Sequence, residues 1–382
     1  MKYRLLALLV IVALAAPALR GQTRPASGPA RPAPNSAVPT AGNGTMYIGS
    51  YKGVIFEIDE ATEKLTKEIP VTVGIPTALT LSDDMSRIYV RDSTYEKIEV
   101  FDRLKGASLG TYSLSDGKTQ ARIWSMRPDP LNKTLILTIK NYTLEKDRWV
   151  IGPPTLVQYD LEQRKIVRTI PWPKGEEREG VGVLFSPDGK LLYMFSEDIL
   201  IYETETFTEV DRWQVSQPIE PGWGSVPIGG LAPFSDEPGF YTGFFSMQDP
   251  LQGRRVMGLG RIELAKKKIE FHPIGPARGL GFSMAPDRKR GYGMLQSVDT
   301  YELWTFDLEN YRVISRTPFK GRPRMSVRVS SSGNYIYIHS AGNTIDLYDS
   351  ATFTKQRTIT LDGDFTLGGF LLVTPKPAAA VR

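Results

Sequence analysis

The chain has 382 residues and no cysteine. That single absence excludes disulfides, thiolate-held metals, iron–sulfur clusters, Cys-x-x-Cys-His haem attachment, a lipobox and a cysteine nucleophile. Histidine is nearly as scarce, with only His272 and His339. Each ends a predicted strand, in different repeats, so no His-x-x-x-His metal site can be built from them and both read as ordinary strand-end residues. The chain also lacks a dominant charge sign. Its 47 Lys and Arg are interspersed with 42 Asp and Glu, and a formal net charge of +5 of this kind indicates no nucleic-acid surface. Long apolar runs are missing except at the start. There Lys2 and Arg4 precede an apolar stretch from Leu5 to Ala16, and Ala16-Pro17-Ala18 offers a cleavage site. Residues 1–21 therefore read as a secretory signal, too short to cross a membrane and stay. Residues 22–44, rich in Pro, Ala, Gly and Ser without a period, read as a disordered linker. The expectation is an exported protein, periplasmic or extracellular, with no stable membrane insertion once the signal is removed.

What the chain has in quantity is turns. "FSPDGKLLYMFSEDILIYETETFTEV", Phe185 to Val210, joins short β-branched and aromatic runs by two tight turns, so the unit is strand, turn, strand, loop, strand, turn, strand. The first turn recurs at Ser82-Asp83-Asp84, Pro128-Asp129-Pro130, Ser186-Pro187-Asp188-Gly189, Ser235-Asp236-Glu237, Ala285-Pro286-Asp287-Arg288 and Ser331-Ser332-Gly333. The second, an acid closing an aromatic or β-branched strand, recurs at Asp59, Asp102, Asp160, Glu203, Glu263, Asp307 and Asp349. The spacing of roughly 42 to 60 residues is that of four-stranded propeller blades.

The first turn occurs one time fewer than the second, and the chain ends explain why. Residues 45–71 supply three strands but no inner one. Gly368–Val373 can supply it by pairing beside Met46–Gly49, which leaves no raw sheet edge at either terminus. The fold class is thus all-β: a seven-bladed β-propeller over residues 45–375, closed by N- and C-terminal strands in one shared blade, with a tail at 376–382.

Motifs that could carry chemistry are weak. "GLGR" (Gly258–Arg261) and "RGLGF" (Arg278–Phe282) open no helix, so their glycines read as small residues where blades crowd toward the axis rather than as a phosphate cradle. Asp362-Gly363-Asp364 lacks the further oxygens of a calcium loop and reads as a plain turn. Asn43, Asn132 and Asn141 head Asn-x-Thr triplets, which matter only where N-glycosylation operates.

The recurrent turns lie on one face of a propeller, and the remaining connections lie on the other. Four of these are long: Lys140–Pro154, Trp172–Gly180, Ser216–Gly230 and Ser246–Arg255, all in three consecutive blades. They carry Trp149, Trp172 and Trp223 beside Arg148, Arg178, Arg254 and Arg255, the aromatic and arginine mixture enriched at interfaces. Two readings stand open, an interaction surface or tryptophans that pin long loops to the ring. Nearer the closure, "FKGRPRMSVRV" places Arg322, Arg324 and Arg328 where they would favour an anion or a partner's carboxylates, or else form a solvated charged loop.

The blades "SPDGKLLY…IYETETFTEV" resemble YVTN-type propellers. "YELWTFDLENYRVISRTPF…MSVRVSSSGNYIYIHSAGNTIDLYDSATFTKQRTITLDG", "GGFLLVTP" and "RRVMGLGRIELAKKKIEF" resemble the propeller β subunit of quinohaemoprotein amine dehydrogenase and its amine-dehydrogenase-like relatives. The resemblance covers most of residues 45–375, and its motifs are those of the propeller. It implies a non-catalytic scaffold or binding subunit, with no cofactor in this chain. Haem and quinone would reside in partner chains, a dihaem cytochrome and a small quinone-bearing subunit. The alternatives are a stand-alone secreted propeller that binds a protein, glycan or peptide, and, less favoured, a propeller lactonase or hydrolase whose catalytic acids the sequence does not single out.

Overall fold

The computed structural model describes residues 40–215, 239–297, 300–321 and 324–374. By contacts the chain divides into Met1–Pro39 and Thr40–Arg382, and all described residues belong to the second unit.

The two recurrent turns each keep one geometry. In the first, the N–H of Met85, Asn132, Gly189, Arg288 or Gly333 bonds the carbonyl three residues earlier, at 2.8–3.0 Å. These five residues all have φ between 57° and 77°. That is a type I turn followed by a left-handed residue, set in a four-residue hairpin loop such as Asp83–Ser86 between Ser82 and Arg87. In the second turn the residue four beyond each acid (Glu63, Gly106, Arg164, Phe207, Lys267, Tyr311 and Phe353) also has positive φ. The acid satisfies the turn's own donors: Asp59 accepts the Thr62 hydroxyl and N–H, at 2.7 and 2.8 Å, which holds its carboxyl below the usual range. Ser235-Asp236-Glu237 lies outside the described residues.

Between these turns run short strands. The first three are β1 (Thr45–Ser50), β2 (Val54–Asp59) and β3 (Lys64–Pro70). Then come β4 (Pro76–Leu81), β5 (Arg87–Asp92), β6 (Lys97–Asp102) and β7 (Ala107–Ser113), followed by β8 (Thr119–Pro128), β9 (Thr134–Glu145), β10 (Arg148–Asp160) and β11 (Lys165–Ile170). The next group is β12 (Gly182–Phe185), β13 (Leu191–Phe195), β14 (Ile199–Glu203) and β15 (Glu209–Trp213). After it come β16 (Phe240–Asp249), β17 (Arg254–Glu263) and β18 (Lys268–Pro276), then β19 (Leu280–Met284), β20 (Arg290–Ser297), β21 (Thr300–Asp307) and β22 (Arg312–Pro318). The last are β23 (Ser326–Val329), β24 (Tyr335–His339), β25 (Thr344–Asp349), β26 (Lys355–Thr360) and β27 (Phe365–Val373). Neighbours pair antiparallel in chain order, so among the described residues β8–β11, β12–β15, β19–β22 and β23–β26 are four-stranded sheets and β16–β18 a three-stranded one, while β1–β3, β27 and β4–β7 are joined in one eight-stranded sheet. The fold is a β-propeller.

β27 leaves chain order and lies beside β1, with Met46 opposite Leu372 and Ile48 opposite Phe370. It completes β1–β3 as the inner strand, as the missing first turn required. On its other side Gly368 bridges Ala78 of β4 in parallel. A Cβ on Gly368 would sit 2.4 Å from the Thr77 carbonyl oxygen, so only glycine fits there.

The closing sheet is also latched to its other neighbour. Glu60, fully buried after β2, accepts hydrogen bonds from the Gly44 N–H (2.7 Å), the Ser331 N–H (2.9 Å), the Ser331 hydroxyl and the Tyr337 hydroxyl (2.9 Å). Arg357 of β26 reaches across the same joint to Glu63 with two guanidinium nitrogens and stacks over Tyr335, 4.6 Å from its centroid. Tyr89 makes a comparable contact, donating to Asn132 Oδ1 at 3.0 Å, while Asn132 donates to Asp84 at 3.0 Å.

Several expectations change. Residues 40–44, read as linker, are docked: Ala41 is wholly buried, and the Asn43 N–H donates to Ser331. Asn132 is buried in its latch and is no exposed glycosylation acceptor. Gly258 is crowded, but by Phe245 and the His272 carbonyl within its own sheet, whereas Gly279 and Gly281 face open space. Asp362 pairs with Lys52 at 3.2 Å. Its neighbour Asp364 offers its backbone carbonyl to Tyr51 and Ser50.

Candidate functional surface

β9 and β10 are the longest strands, 12 and 13 residues, and β10 outruns its neighbour β11, while β8 follows β9 as far as Thr143. β11 pairs β10 only from Leu156 to Asp160, so the hairpin beyond Thr155 projects as a ribbon. Lys140–Pro154, expected as a loop, is therefore mostly strand. A two-residue turn at Lys146-Asp147, with Lys146 at φ 44°, lets β9 return directly as β10. The same correction applies to Ser246–Arg255, which is the end of β16, a short turn and the start of β17.

The register of the ribbon sorts its side chains. Leu144 lies opposite Trp149 and Tyr142 opposite Ile151, so these four share one face. Leu144, Trp149 and Ile151 are 44%, 46% and 59% exposed, and Val150, on the other face, is 39% exposed. Single exposed apolar residues need no explanation, but these three lie side by side and form a contiguous exposed apolar strip. The inner end of this face is polar: the Arg122 guanidinium sits 4.6 Å from the Tyr142 ring centroid, and Lys140 pairs with Glu179 at 3.2 Å.

The predicted anchors divide. Trp149 is presented to solvent. Trp172 is not: its ring packs on the core that contains Leu156 and Ile170, and its Nε1 donates to the Pro154 carbonyl at 3.0 Å, so it pins the ribbon's foot. Trp223 and Arg322 lie outside the described residues. Arg254 and Arg255 are engaged within their own hairpin, with Asp249 at 3.8 Å and with the Ser246 hydroxyl. Arg178 is held by Glu197 at 2.9 Å, and that contact with the Ser196 hydroxyl brings the Glu197 carboxyl to about 2. Arg324 is exposed with φ 59°; Arg328 is half-buried on β23, its Nη1 3.3 Å from the Val327 carbonyl oxygen.

One cluster had escaped the sequence reading. On the inner strand β8, Ile123 and Ser125 pair with consecutive residues of β9, so Trp124 bulges out and is 47% exposed. Arg91 secures the bulge by donating Nη1 to the Ile123 and Trp124 carbonyls at 2.9 and 2.8 Å. Its guanidinium stacks 4.0 Å from Tyr95, whose ring lies 5.7 Å from Trp124. The only sequence signal was a tryptophan where the other inner strands carry small or aliphatic residues.

Among the described residues no three His, Asp or Glu side chains gather to hold a metal ion, and no helix is long and apolar enough to cross a membrane. The histidines sit apart. His272 stacks on Tyr311, ring centroids 3.5 Å apart, and His339 packs edge-on against Phe370.

The architecture defines a β-propeller, and among the described residues its β9–β10 ribbon carries an exposed apolar strip. Among solved structures the chain is similar to a functionally unknown protein from Desulfotomaculum acetoxidans DSM 771, with 12% identity, a TM-score of 0.51, and 87% of this chain and 100% of that one covered. It is also similar to Kuenenia stuttgartiensis hydrazine synthase (14% identity, TM-score 0.48, 85% and 95% covered). A third is the β-propeller domain of Cps50 (Swd1) from Myceliophteria thermophila (11% identity, TM-score 0.49, 78% and 93% covered). Likeness at these identities concerns the fold alone. No protein-family model matches the chain, and no curated protein matches it in sequence.

Proposed function

We propose that this propeller, read as seven-bladed, is an exported, non-catalytic binding subunit that docks a protein partner on the face bearing the β9–β10 ribbon. The observation that carries the reading is the exposed apolar strip Leu144, Trp149 and Ile151 on a ribbon whose foot is fixed by Trp172. A rigid base under an exposed aromatic is the arrangement that makes a binding anchor, because little side-chain freedom is lost on docking. The resemblance to amine-dehydrogenase propeller subunits supports a redox complex as the setting, with a dihaem cytochrome and a small quinone-bearing chain as partners. The Trp124–Tyr95–Arg91 cluster favours a second reading, a stand-alone propeller that stacks a glycan or peptide at its inner strands.

The test is affinity capture by the tagged mature chain from its own periplasm. Trp149→Ala is expected to weaken partner recovery by about 2 kcal/mol, roughly 30-fold, with the melting transition unchanged. Asp188→Ala, on the turn face, is expected to leave recovery intact. Recovery that is insensitive to Trp149→Ala but reduced by Trp124→Ala would transfer the site to the inner strands.

A further inference from the structure

The ribbon has an edge as well as a face, and the two are chemically distinct. The Leu144 N–H bonds the Lys118 carbonyl at 3.1 Å, so Leu144 turns its main chain toward β8. Alternation then turns Thr143 and Glu145 toward β10, where their opposites are Val150 and Arg148. Trp149 and Ile151 must therefore direct their N–H and C=O groups away from β9. Among the described residues nothing pairs with that edge, because β11 reaches only as far as Leu156. The four groups lie on a flat, exposed, apolar stretch without lysine or an inward charge, the kind of edge that soluble proteins otherwise protect.

We infer that this edge pairs with the same edge of a second copy of the chain, in an antiparallel two-fold arrangement centred on Val150. Trp149 of one copy then faces Ile151 of the other, and all four outward groups of each copy are used in four main-chain hydrogen bonds. The two Val150 side chains meet on the axis as a close non-hydrogen-bonded pair. The register is set by what lies on either side. Sliding toward the tip brings Ile151 against Asp147 in the turn. Sliding toward the base brings Trp149 against Pro153, which has no N–H. The isologous pair thus closes on itself and does not propagate into a fibre. Charge does not oppose it, since Glu145, Lys146, Asp147 and Arg148 at the tip cancel.

Pairing along the edge leaves the faces of the ribbon open. The apolar strips of two copies join into one surface of doubled extent, with Trp149 of each copy beside Ile151 of the other. The inference goes beyond the docking reading, because it uses the main chain of β10 and a second copy rather than the tryptophan face and a foreign partner.

Sedimentation velocity of the mature chain across the micromolar range tests it. The expected result is a reversible rise to twice the monomer mass in the wild type. Val150→Lys, which sets like charges on the axis, and Ile151→Pro, which removes an outward N–H without touching the β9 ladder, are expected to stay monomeric with an unchanged melting transition. Val150→Lys alone decides the matter if the proline variant does not fold. A wild type that is monomeric throughout, or a dimer that survives Val150→Lys, overturns the inference. Either result leaves the capture experiment with Trp149→Ala to decide the docking reading separately.

Discussion

His339 ends β24 with its ring wholly buried and with no hydrogen-bond partner for Nδ1 or Nε2. Ser326 and Ile345 are its strand neighbours, Phe370 covers its edge, and Arg328 is the nearby charge. Burial first, and then the Arg328 guanidinium, hold it neutral to about pH 4. An unfolded histidine titrates near 6.5, so the unfolded state binds the proton first. Stability should be full above pH 6.5 and fall as the pH drops from 6.5 to about 4, by about 3 kcal/mol in total. Urea unfolding of wild type and His339→Leu between pH 7 and 4 checks this. The variant should lose that portion of the slope, and parallel curves would mean that His339 is not the titrating group. The sequence placed both histidines at strand ends, which holds for His339 but not for His272, central in β18, and burial was invisible there: the two look alike until Phe370 arrives from the other end of the chain. Asn132 illustrates the same limit, since its buried hydrogen bonds come from residues more than forty positions away.

At the scale of elements the sequence was most informative where chemistry is local. Acid-closed turns and Ser-x-Asp-Gly turns depend on a few adjacent residues, so their positions and strand boundaries could be read directly. The β9–β10 ribbon was misread as a loop because Lys140–Pro154 mixes charged residues with prolines. Its pairing depends on register with Thr119–Ala121 across the sheet. The closure strand was legible only by counting, and its latch was not legible at all. Glu60 follows an ordinary turn acid, yet it satisfies the Gly44 and Ser331 N–H groups and the Tyr337 hydroxyl. Glu60→Ala leaves these buried donors unpaired and should cost about 3 kcal/mol or more. Glu63→Ala, which removes the Arg357 pair at a more exposed position of the same joint, is the natural companion and should cost less. Thermal denaturation of the two variants orders them, and the reverse order would mean that the outer ion pair rather than Glu60 secures the joint.

For the whole molecule, repetition settles the architecture and irregularity points to the function. Seven turns of one kind repeat with a left-handed residue at the same place, and among the described residues the overlong β9–β10 ribbon and the bulge at Trp124 depart from the repeat. A repeat is visible to inspection because each unit resembles the next. The proposed docking surface is not, because its residues have no counterpart in the other blades: Trp149 stands out by type, whereas Leu144 and Ile151 join it only through register. The central claim is that partners dock on this ribbon face and not on the turn face. Hydrogen–deuterium exchange of residues 22–382, alone and with the captured partner, tests it most directly. Docking predicts slowed exchange over residues 141–153 on binding and unchanged exchange over the turns at 82–86, 186–190 and 330–334. Protection confined to those turns, with residues 141–153 exchanging as in the free chain, would contradict it.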